Sequence, residues 1–531
     1  MAGQAGRVAA SQGAASKGAR RRARPAGYAG LVAVAASVAC TFTVGVAGPS
    51  VMEPALPGRS GQPPWAFEAH LSPYLAVGLT AAGLAFGALG LALVLRAVGA
   101  GWSVPARAVL LAGLLAALAL TLVPPFGSSD QLSYAAYGRM LVTGHNPYTT
   151  TPAQLAALGD PVARAVQDWF TTPSVYGPLA TAVQGLASLI GGASARLTVF
   201  ALGLANLAAF AGTAVVLHRM TRSDPARQLR AALLWAANPL LLQLLVAGGH
   251  VDVQAVALAV AAVAVMCGPR GDPRCSPARA VAAGVLVGLG FAVKASDVLV
   301  GLGLAAALVL RAGPAGRRRL PSLAGLAAGF AAMAGASIII GGPAMLGQLS
   351  RESDMVSIGS PWRVIRALVH LVAGGTAATD IVKAGAVALT VVLAVLLVRG
   401  LADAPGVADV AFAVVLAWLF AWPYVLPWYD ALAWALLPLA AWDTIAWEKV
   451  GWLLLARTTA LGFGYLPARQ TGATLPAGLA WLQPVIRHGV TPAVLAAATV
   501  WLVVLMIRSR RSGRLGPEVA TVSQPIITKV L

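Results

Sequence analysis

Long apolar segments recur along the whole chain, and the segments between them hold most of the charged residues. Many of the apolar segments are close to the roughly 20 residues that an α-helix needs to cross a bilayer. A chain that spans a bilayer without forming a barrel must be helical, because lipid offers no partner to free backbone groups. We therefore predict an all-α, polytopic membrane helix bundle. About fourteen transmembrane helices are expected, at residues 27–48, 72–96, 105–126, 195–217, 229–247, 251–268, 279–295, 297–311, 321–341, 379–399, 407–423, 428–446, 450–466 and 490–507.

The distribution of Arg and Lys predicts the orientation, since loops on the cytoplasmic side of membrane proteins are enriched in these residues. Alternate connections hold basic clusters, for example at 219–230, 317–319 and 508–514. Placing these clusters inside gives a multi-pass protein of the plasma membrane with both termini in the cytoplasm. The predicted domains are a basic N-terminal tail (1–26), a transmembrane domain (27–507) and a C-terminal tail (508–531).

The N-terminal region resembles a signal peptide, with the basic stretch Arg20–Arg24 followed by an apolar segment. That segment runs from about Tyr28 to Ala47, which exceeds the 7–15 residues of a cleaved apolar region. We expect an uncleaved first helix, and we expect no large soluble domain after the last one.

The composition also favours a membrane protein, since 58% of the 531 residues are hydrophobic and 11% are charged. Soluble domains carry about a quarter charged residues. The net charge is +20, but the basic residues form clusters between apolar segments, so we expect a lipid bilayer and no nucleic acid as partner. Cys40, Cys267 and Cys275 have the spacing of neither a zinc site nor a disulfide framework. We expect no metal and no cofactor.

Two connections on the predicted outer side, at 127–194 and 342–378, are too long to be simple links. Loops beyond about 12–15 residues are usually functional or disordered. The first is rich in aromatic residues, and we expect it to contain amphipathic helices at the membrane surface.

The first long loop opens with a pattern that favours a helix with a carboxylate at its start. Ser128 or Ser129 suits the capping position, and Asp130 suits the first turn. Tyr134 and Tyr137 follow at helical spacing and share the face of Asp130. Two interpretations stay open: a capping carboxylate on an interfacial helix, or a general base beside two phenols.

Tyr134, Tyr137, Asp252 and five further residues of the outer connections are candidates for substrate binding. Asn146, Tyr148 and Tyr176 lie in the first loop, and Trp428 and Tyr429 join two later helices. Aromatic residues often anchor membrane proteins at the interface, which is the alternative for these rings. Aromatic rings also stack on the apolar faces of sugars, so the pattern favours a lipid headgroup that carries a sugar.

Three ionisable residues are expected on the same side, namely His250, Asp252 and Lys294. A lysine this close to the membrane is costly unless it is paired or faces water, so Lys294 is a candidate ligand for a phosphate. An ion pair with Asp297, three residues later, is the structural alternative. His250 and Asp252 have too few neighbouring ligands for a metal site.

The chain resembles the membrane glycosyltransferases of the GT-C fold, which use a polyprenyl-phosphate sugar as donor. It is most similar to the actinobacterial polyprenol-phosphomannose-dependent α-1,6-mannosyltransferases of lipoglycan mannan synthesis. The resemblance is carried by Ser129-Asp130-Gln131, by Asn146-Pro147-Tyr148 and by Val175-Tyr176-Gly177-Pro178-Leu179. It implies that Asp130 occupies the position of the family's base, on the extracytoplasmic face.

The resemblance implies a metal-independent, inverting transfer of mannose from polyprenyl-phosphate mannose to a glycolipid or mannan acceptor, with an α-1,6 linkage. Asp130 would take the proton of the acceptor hydroxyl. The leaving phosphate needs charge stabilisation, for which Lys294 is the candidate, with His250 as a second ligand.

Two other functions stay open. A related transferase could use polyprenyl-phosphate arabinose or glucose, because specificity for a sugar depends on hydrogen bonds to single hydroxyl groups. A flippase or transporter of lipid-linked sugars would also need many helices and a cavity, although its usual signs are internal repeats and helices broken at the midplane. No internal repeat is visible here.

Overall fold

The computed structural model describes residues 2–268, 276–310, 320–401, 405–440, 445–467 and 474–514. Within these ranges it contains helices and no β-strand, and seven of the helices are long and apolar enough to cross a membrane. The predicted all-α membrane bundle is thus confirmed. Cys275, the basic cluster at 317–319 and residues 515–531 of the predicted C-terminal tail lie outside the described residues.

The α-helices follow one another along the chain as α1 (Ala2–Ala47), α2 (Pro73–Gly99), α3 (Ala106–Thr121), α4 (Asp130–Val142), α5 (Pro152–Ala157), α6 (Pro161–Arg164), α7 (Pro178–Gly191), α8 (Ala195–Met220), α9 (Pro225–Leu234), α10 (Pro239–Leu241), α11 (Asp252–Cys267), α12 (Pro277–Phe291), α13 (Val298–Leu310), α14 (Leu320–Ser353), α15 (Trp362–Ala373), α16 (Gly375–Arg399), α17 (Val407–Ala421), α18 (Ala431–Leu436), α19 (Ile445–Gly464) and α20 (Thr491–Arg514). Short π-helical segments at Leu242–Val246 and Leu482–Val490 complete the pattern, with 3-10 turns at Ala295–Asp297, Pro427–Asp430, Leu437–Leu439 and Ala477–Leu479.

The first long loop folds into four helices, α4 to α7. Helix α4 is buried on most of its circumference, so it is packed more deeply than the surface helix that we expected. Gly138 permits this packing, because a Cβ there would lie 2.1 Å from the backbone oxygen of Gln184 in α7. Helix α7 buries small and polar residues and leaves Leu186, Leu189 and Ile190 exposed, which is the pattern of a helix facing lipid.

The second long loop is also mostly helical. Helix α14 continues through a kink at Gly342, which has φ +68°, as far as Ser353, and α15 and α16 follow. Gln348 Nε2 of α14 donates a hydrogen bond of 3.2 Å to the backbone oxygen of Tyr148. The two long connections therefore meet on the same side of the bundle.

Two segments that we predicted as single helices, 229–247 and 428–446, are interrupted. In the first, Pro239 cannot donate a backbone hydrogen bond, and Asn238 restarts the helix by accepting a bond from Leu240 N at 3.1 Å. In the second, 3-10 turns lie on both sides of α18, and each begins at or includes a proline. Both segments are apolar throughout, so hydropathy alone does not reveal the breaks.

A buried ion pair anchors the second interrupted segment. Asp430 precedes α18 and contacts Arg457 of α19, and the two side chains are 0% and 2% exposed. Thr458 donates to Asp430 Oδ2 at 2.7 Å and accepts from Trp434 Nε1 at 3.0 Å. Arg457 also donates to the backbone oxygen of Leu419 at 2.9 Å. These bonds join α17, α18 and α19 in the centre of the protein.

Replacing Arg457 with Met should destabilise the protein strongly, because the Asp430 carboxylate would stay buried without its partner. The expected loss in the free energy of unfolding is about 3–5 kcal/mol, seen as a lower melting temperature in detergent. The double variant Arg457→Met with Asp430→Asn should recover much of that loss. The matched control Arg222→Met changes an exposed arginine and should melt like the parent. Equal melting temperatures for all four proteins would show that the pair contributes no stability.

Candidate active site

Six of the candidate residues line one cavity on the side where the two long connections meet. They are Asp130, Tyr134, Tyr137, Tyr176, Trp428 and Tyr429. The cavity is small, about 50 Å³. A neighbouring cavity of about 350 Å³ contains Lys294 and shares Tyr176, Tyr429 and Glu352 with the first. The structure thus brings the predicted base and the predicted phosphate ligand to two adjoining cavities.

Asp130 is the first residue of α4, and the residues before it fix its backbone. Its N–H donates to Ser128 Oγ at 3.1 Å. Ser129 occupies the capping position but makes no capping bond through its side chain. It donates instead to Asp168 Oδ2 at 2.9 Å, and Ser133 donates to the backbone oxygen of Asp168 at 3.1 Å. The serines therefore hold the segment around Asp168 against the start of α4.

That segment brings Trp169 into hydrogen-bonding contact with Asp130, the candidate base. The indole Nε1 of Trp169 donates to Asp130 Oδ1 at 3.1 Å. Trp169 has φ +61°, a left-handed conformation that is strained for any residue with a side chain. Strain of this kind costs about 1–3 kcal/mol and persists where the surroundings enforce it. The bonds to Asp168 provide that enforcement, and they orient one oxygen of the carboxylate.

His250 lies on the other oxygen of the same carboxylate. Its Nδ1 is 3.6 Å from Asp130 Oδ2, and its ring stacks on Trp428 with a centroid distance of 3.5 Å. Burial lowers the pKa of His250 well below its usual value, and the charge of Lys294 acts in the same direction. His250 is therefore neutral at pH 7, and it lines neither of the two adjoining cavities.

The protonation of Asp130 reflects its burial. Desolvation raises the pKa of the Asp130 carboxyl to about 6, although the hydrogen bond from Trp169 opposes that rise. The carboxyl is thus ionised at pH 7 but is more basic than an exposed aspartate. A general base works best when its pKa lies near the working pH, so Asp130 has the chemistry expected of one.

Lys294 is paired, but not with the residue that its spacing suggested. Its Nζ lies 2.5 Å from Asp252 Oδ1 and 3.6 Å from the ring centroid of Tyr429. Lys294 has extended backbone angles before a 3-10 turn, so Asp297 is not one helical turn away and the alternative of an ion pair with Asp297 is wrong. The oxygens of Asp297 have no hydrogen-bond partner among the described residues.

The tyrosines differ in what they offer to a ligand. The hydroxyl of Tyr176 donates to that of Tyr134 at 3.2 Å, with the two rings edge to face. Tyr137 donates to the backbone oxygen of Thr172 at 2.9 Å. Tyr148 lines neither cavity, and its hydroxyl lies 3.1 Å from that of Thr181. Asn146 accepts from the N–H of Tyr148 at 2.9 Å, which makes it a turn residue in this structure.

Sequence reasoning missed two residues of the site. Trp169 appeared only as one aromatic residue among several, because nothing local shows that it reaches Asp130. Glu352 accepts a hydrogen bond from the Tyr429 hydroxyl at 3.3 Å and lines both cavities. It lay in a segment that we expected to be a loop. The sequence feature that could have indicated Glu352 is its position at the end of a long apolar helix, where a charge is costly unless it is paired or functional.

No three His, Cys, Asp or Glu side chains converge as a metal site would require within the described part of the chain. The chemistry that the residues themselves offer is proton transfer at Asp130 and binding of an anion at Lys294.

Known proteins match the chain, and the matched family region includes Asp130, His250 and Lys294 of this site. The family model described as Alpha-(1->6)-mannopyranosyltransferase, N-terminal domain, matches residues 24–311, more than half of the chain. Alpha-(1->6)-mannopyranosyltransferase B of Corynebacterium glutamicum is 29% identical over 388 residues, covering 68% of this chain and 62% of that protein. An alpha-(1->6)-mannopyranosyltransferase of Mycobacterium tuberculosis is 28% identical over 389 residues, covering 62% and 64%.

The chain thus spans less than two thirds of the length of both relatives. A probable alpha-(1->6)-mannopyranosyltransferase of Mycolicibacterium smegmatis is 32% identical over 136 residues, covering 25% of this chain and 24% of that protein. No solved structure matches the chain.

Proposed function

The chain belongs to the alpha-(1->6)-mannopyranosyltransferase family, and on that premise we propose that it transfers mannose from polyprenyl-phosphate mannose to a glycolipid or mannan acceptor. The family resemblance noted in the sequence is thereby confirmed. The observation that carries the proposed reaction is the partly buried Asp130 carboxylate in a cavity that adjoins a second one containing Lys294. One cavity supplies a base for a hydroxyl group, and the other supplies a cation for a phosphate.

In this reaction the acceptor's 6-hydroxyl oxygen attacks C1 of the β-linked mannose. Asp130 accepts the hydroxyl proton on Oδ2, since Oδ1 accepts the bond from Trp169 whereas His250, 3.6 Å from Oδ2, makes no hydrogen bond to it. The bond between C1 and the phosphate oxygen breaks, and polyprenyl phosphate leaves with the electron pair. A single displacement inverts the β-linked donor and gives an α-1,6 linkage.

The lining of the larger cavity suits the donor. Leu299, Val387 and Val391 offer apolar contacts for a polyprenyl chain, and Lys294 lies in the same lining. Tyr176 and Tyr429 lie between the two cavities, where the sugar would have to sit. His250, our second candidate for the phosphate, contacts Asp130 instead. We therefore assign His250 to the support of the base.

Asp130→Asn should abolish transfer, with a fall in kcat of about 10²–10⁴-fold, because that is the usual contribution of a general base. Helix capping does not explain such a loss, since Asn caps about as well as Asp. Transfer should be measured with purified protein and radiolabelled polyprenyl-phosphate mannose, with the arabinose and glucose donors in parallel. The control Asp224→Asn, at the start of α9, should keep parental activity. Turnover by Asp130→Asn near that of the parent would contradict the role of Asp130 as the base. Preference of the parent for the arabinose or glucose donor would show that the transferred sugar is not mannose.

The parent enzyme should also lose activity as the pH falls through about 6, because burial raises the pKa of Asp130 to about 6 and a protonated carboxyl cannot accept a proton. Asp130→Asn should lack this acidic limb in its residual activity.

Lys294→Ala should weaken binding of polyprenyl phosphate by about 10-fold or more, as expected when one charge-assisted contact of about 1.5–3 kcal/mol is lost. Lys294→Arg should restore binding in part, since a guanidinium keeps the charge but not the compact shape of an ammonium. The matched control is Asp252→Asn, which breaks the same ion pair but keeps the lysine. If Lys294 serves only as a structural partner of Asp252, Lys294→Ala and Asp252→Asn will bind polyprenyl phosphate equally, and their melting temperatures will fall by the same amount.

We also propose that the site faces outward, with both termini in the cytoplasm of a plasma-membrane protein, because the basic clusters then lie inside. In a variant without the native Cys40, Cys267 and Cys275, Thr149→Cys should react with a membrane-impermeant thiol reagent in intact cells. Ser223→Cys should react only after lysis. Both positions are exposed, so labelling of position 223 in sealed cells would reverse the orientation.

A transporter of lipid-linked sugars is the second candidate. Its support is that helices interrupted as at Leu242–Val246 and Pro427–Asp430 also occur in transporters. The transfer assay separates the two, since a transporter forms no glycosylated product.

A further inference from the structure

A third cavity adjoins the Asp130 cavity at Trp169. Its volume is about 410 Å³, and it shares Trp169, Met355, Tyr424 and Leu426 with the lining around Asp130. Lys294 and the aliphatic residues Leu299, Val387 and Val391 of the donor cavity are absent from its lining, although Tyr424 lines both cavities. The third cavity therefore lacks the residues that we assign to the phosphate and the chain of the donor.

Three arginines line this cavity, each from a different element. Arg351 comes from the end of α14, Arg366 from α15, and Arg487 from the π-helical segment Leu482–Val490. Arg487 donates to the backbone oxygens of Gly464 and Pro467, which fix the position of its guanidinium.

Two of these arginines, Arg351 and Arg366, have no ion pair with a carboxylate among the described residues. Arg351 donates to the neutral amide of Gln348 at 3.4 Å. The one carboxylate in the lining is Asp354, and Lys383 already contacts it at 2.9 Å. An anion is thus the ligand that the lining favours.

Helix α15 adds an apolar surface beside the arginines. None of its residues is buried. One face carries Arg363, Arg366 and His370, and the opposite face carries exposed apolar side chains. These are Val364, Ile365, Leu368, Leu371 and Val372, and the last two are 81% and 90% exposed. An amphipathic helix with cations on one face lies in the headgroup layer of a bilayer, with its apolar face against acyl chains.

We propose that this cavity binds the phosphate of an anionic phospholipid of the bilayer, whose acyl chains lie along the apolar face of α15. The placement of α15 between α14 and α16, both long enough to span the membrane, keeps that face at the lipid surface. Arg366 contributes the charge from α15 itself, and Arg351 lies one residue before Glu352 of the Asp130 cavity. A bound phospholipid would therefore hold the end of α14 in place. This inference does not depend on transferase activity.

The test measures lipid binding to the purified full-length chain in non-ionic detergent. Dioleoyl phosphatidylglycerol is titrated while retained lipid is counted by native mass spectrometry and the melting temperature is followed. Phosphatidylcholine with the same chains and inorganic phosphate are the parallel probes. We expect phosphatidylglycerol to be retained and to raise the melting temperature, with little effect of the other two.

Arg366→Gln and Arg351→Gln should each weaken phosphatidylglycerol binding by about 10-fold, as expected for the loss of one charged contact. The control Arg59→Gln changes an exposed arginine outside the cavity and should bind like the parent. Leu371→Gln tests the apolar face separately and should also weaken lipid binding. All four variants should melt like the parent without lipid, because none of these side chains is buried.

Three results would overturn the proposal. Equal retention of phosphatidylcholine would show that charge plays no part. An equal effect of inorganic phosphate would show a site for free anions and not for a lipid. Unchanged binding by Arg351→Gln and Arg366→Gln would place the lipid elsewhere.

Discussion

The ion pair between Asp430 and Arg457 supports the site that we describe, although neither residue touches it. A charge inside a membrane protein is costly unless it is paired, so the pair fixes the position of the interrupted segment that follows α17. The preceding residues, Trp428 and Tyr429, project from that segment. Trp428 stacks on His250, and the ring of Tyr429 lies under the Lys294 ammonium. An uninterrupted helix would not present both rings in this way.

The two largest effects on the pKa of Asp130 oppose each other. Burial disfavours its charged form, and the indole N–H of Trp169 favours it. The indole N–H belongs to Trp169, whose backbone is strained, so part of the folding free energy is used to hold that residue in place. The neutral ring of His250 on the other side adds no positive charge that would reduce the basicity. The carboxylate therefore stays ionised at pH 7 and still accepts a proton readily.

The matched family region ends at residue 311, but the site also includes residues beyond it. Asp130, His250 and Lys294 lie inside that region, whereas Glu352 and Tyr429 come from the part of the chain that follows it. The second part supplies one wall of the donor cavity and the whole basic lining beside α15. The carboxylate that we propose as the base thus comes from one half of the chain, and much of the lining of the three cavities comes from the other.

The sequence by itself determined the membrane bundle, because insertion into a bilayer depends on the length of apolar segments and on the positions of charged residues, which are local properties of the chain. It also predicted Asp130 as the candidate base, through a short motif at the start of α4. Only the tertiary structure decided the partner of Lys294, which is Asp252, 42 residues away, and not Asp297 at helical spacing. It likewise decided that Glu352 reaches the site. Periodicity reports which residues share a face of one helix, whereas these contacts depend on how separate helices pack and where they break.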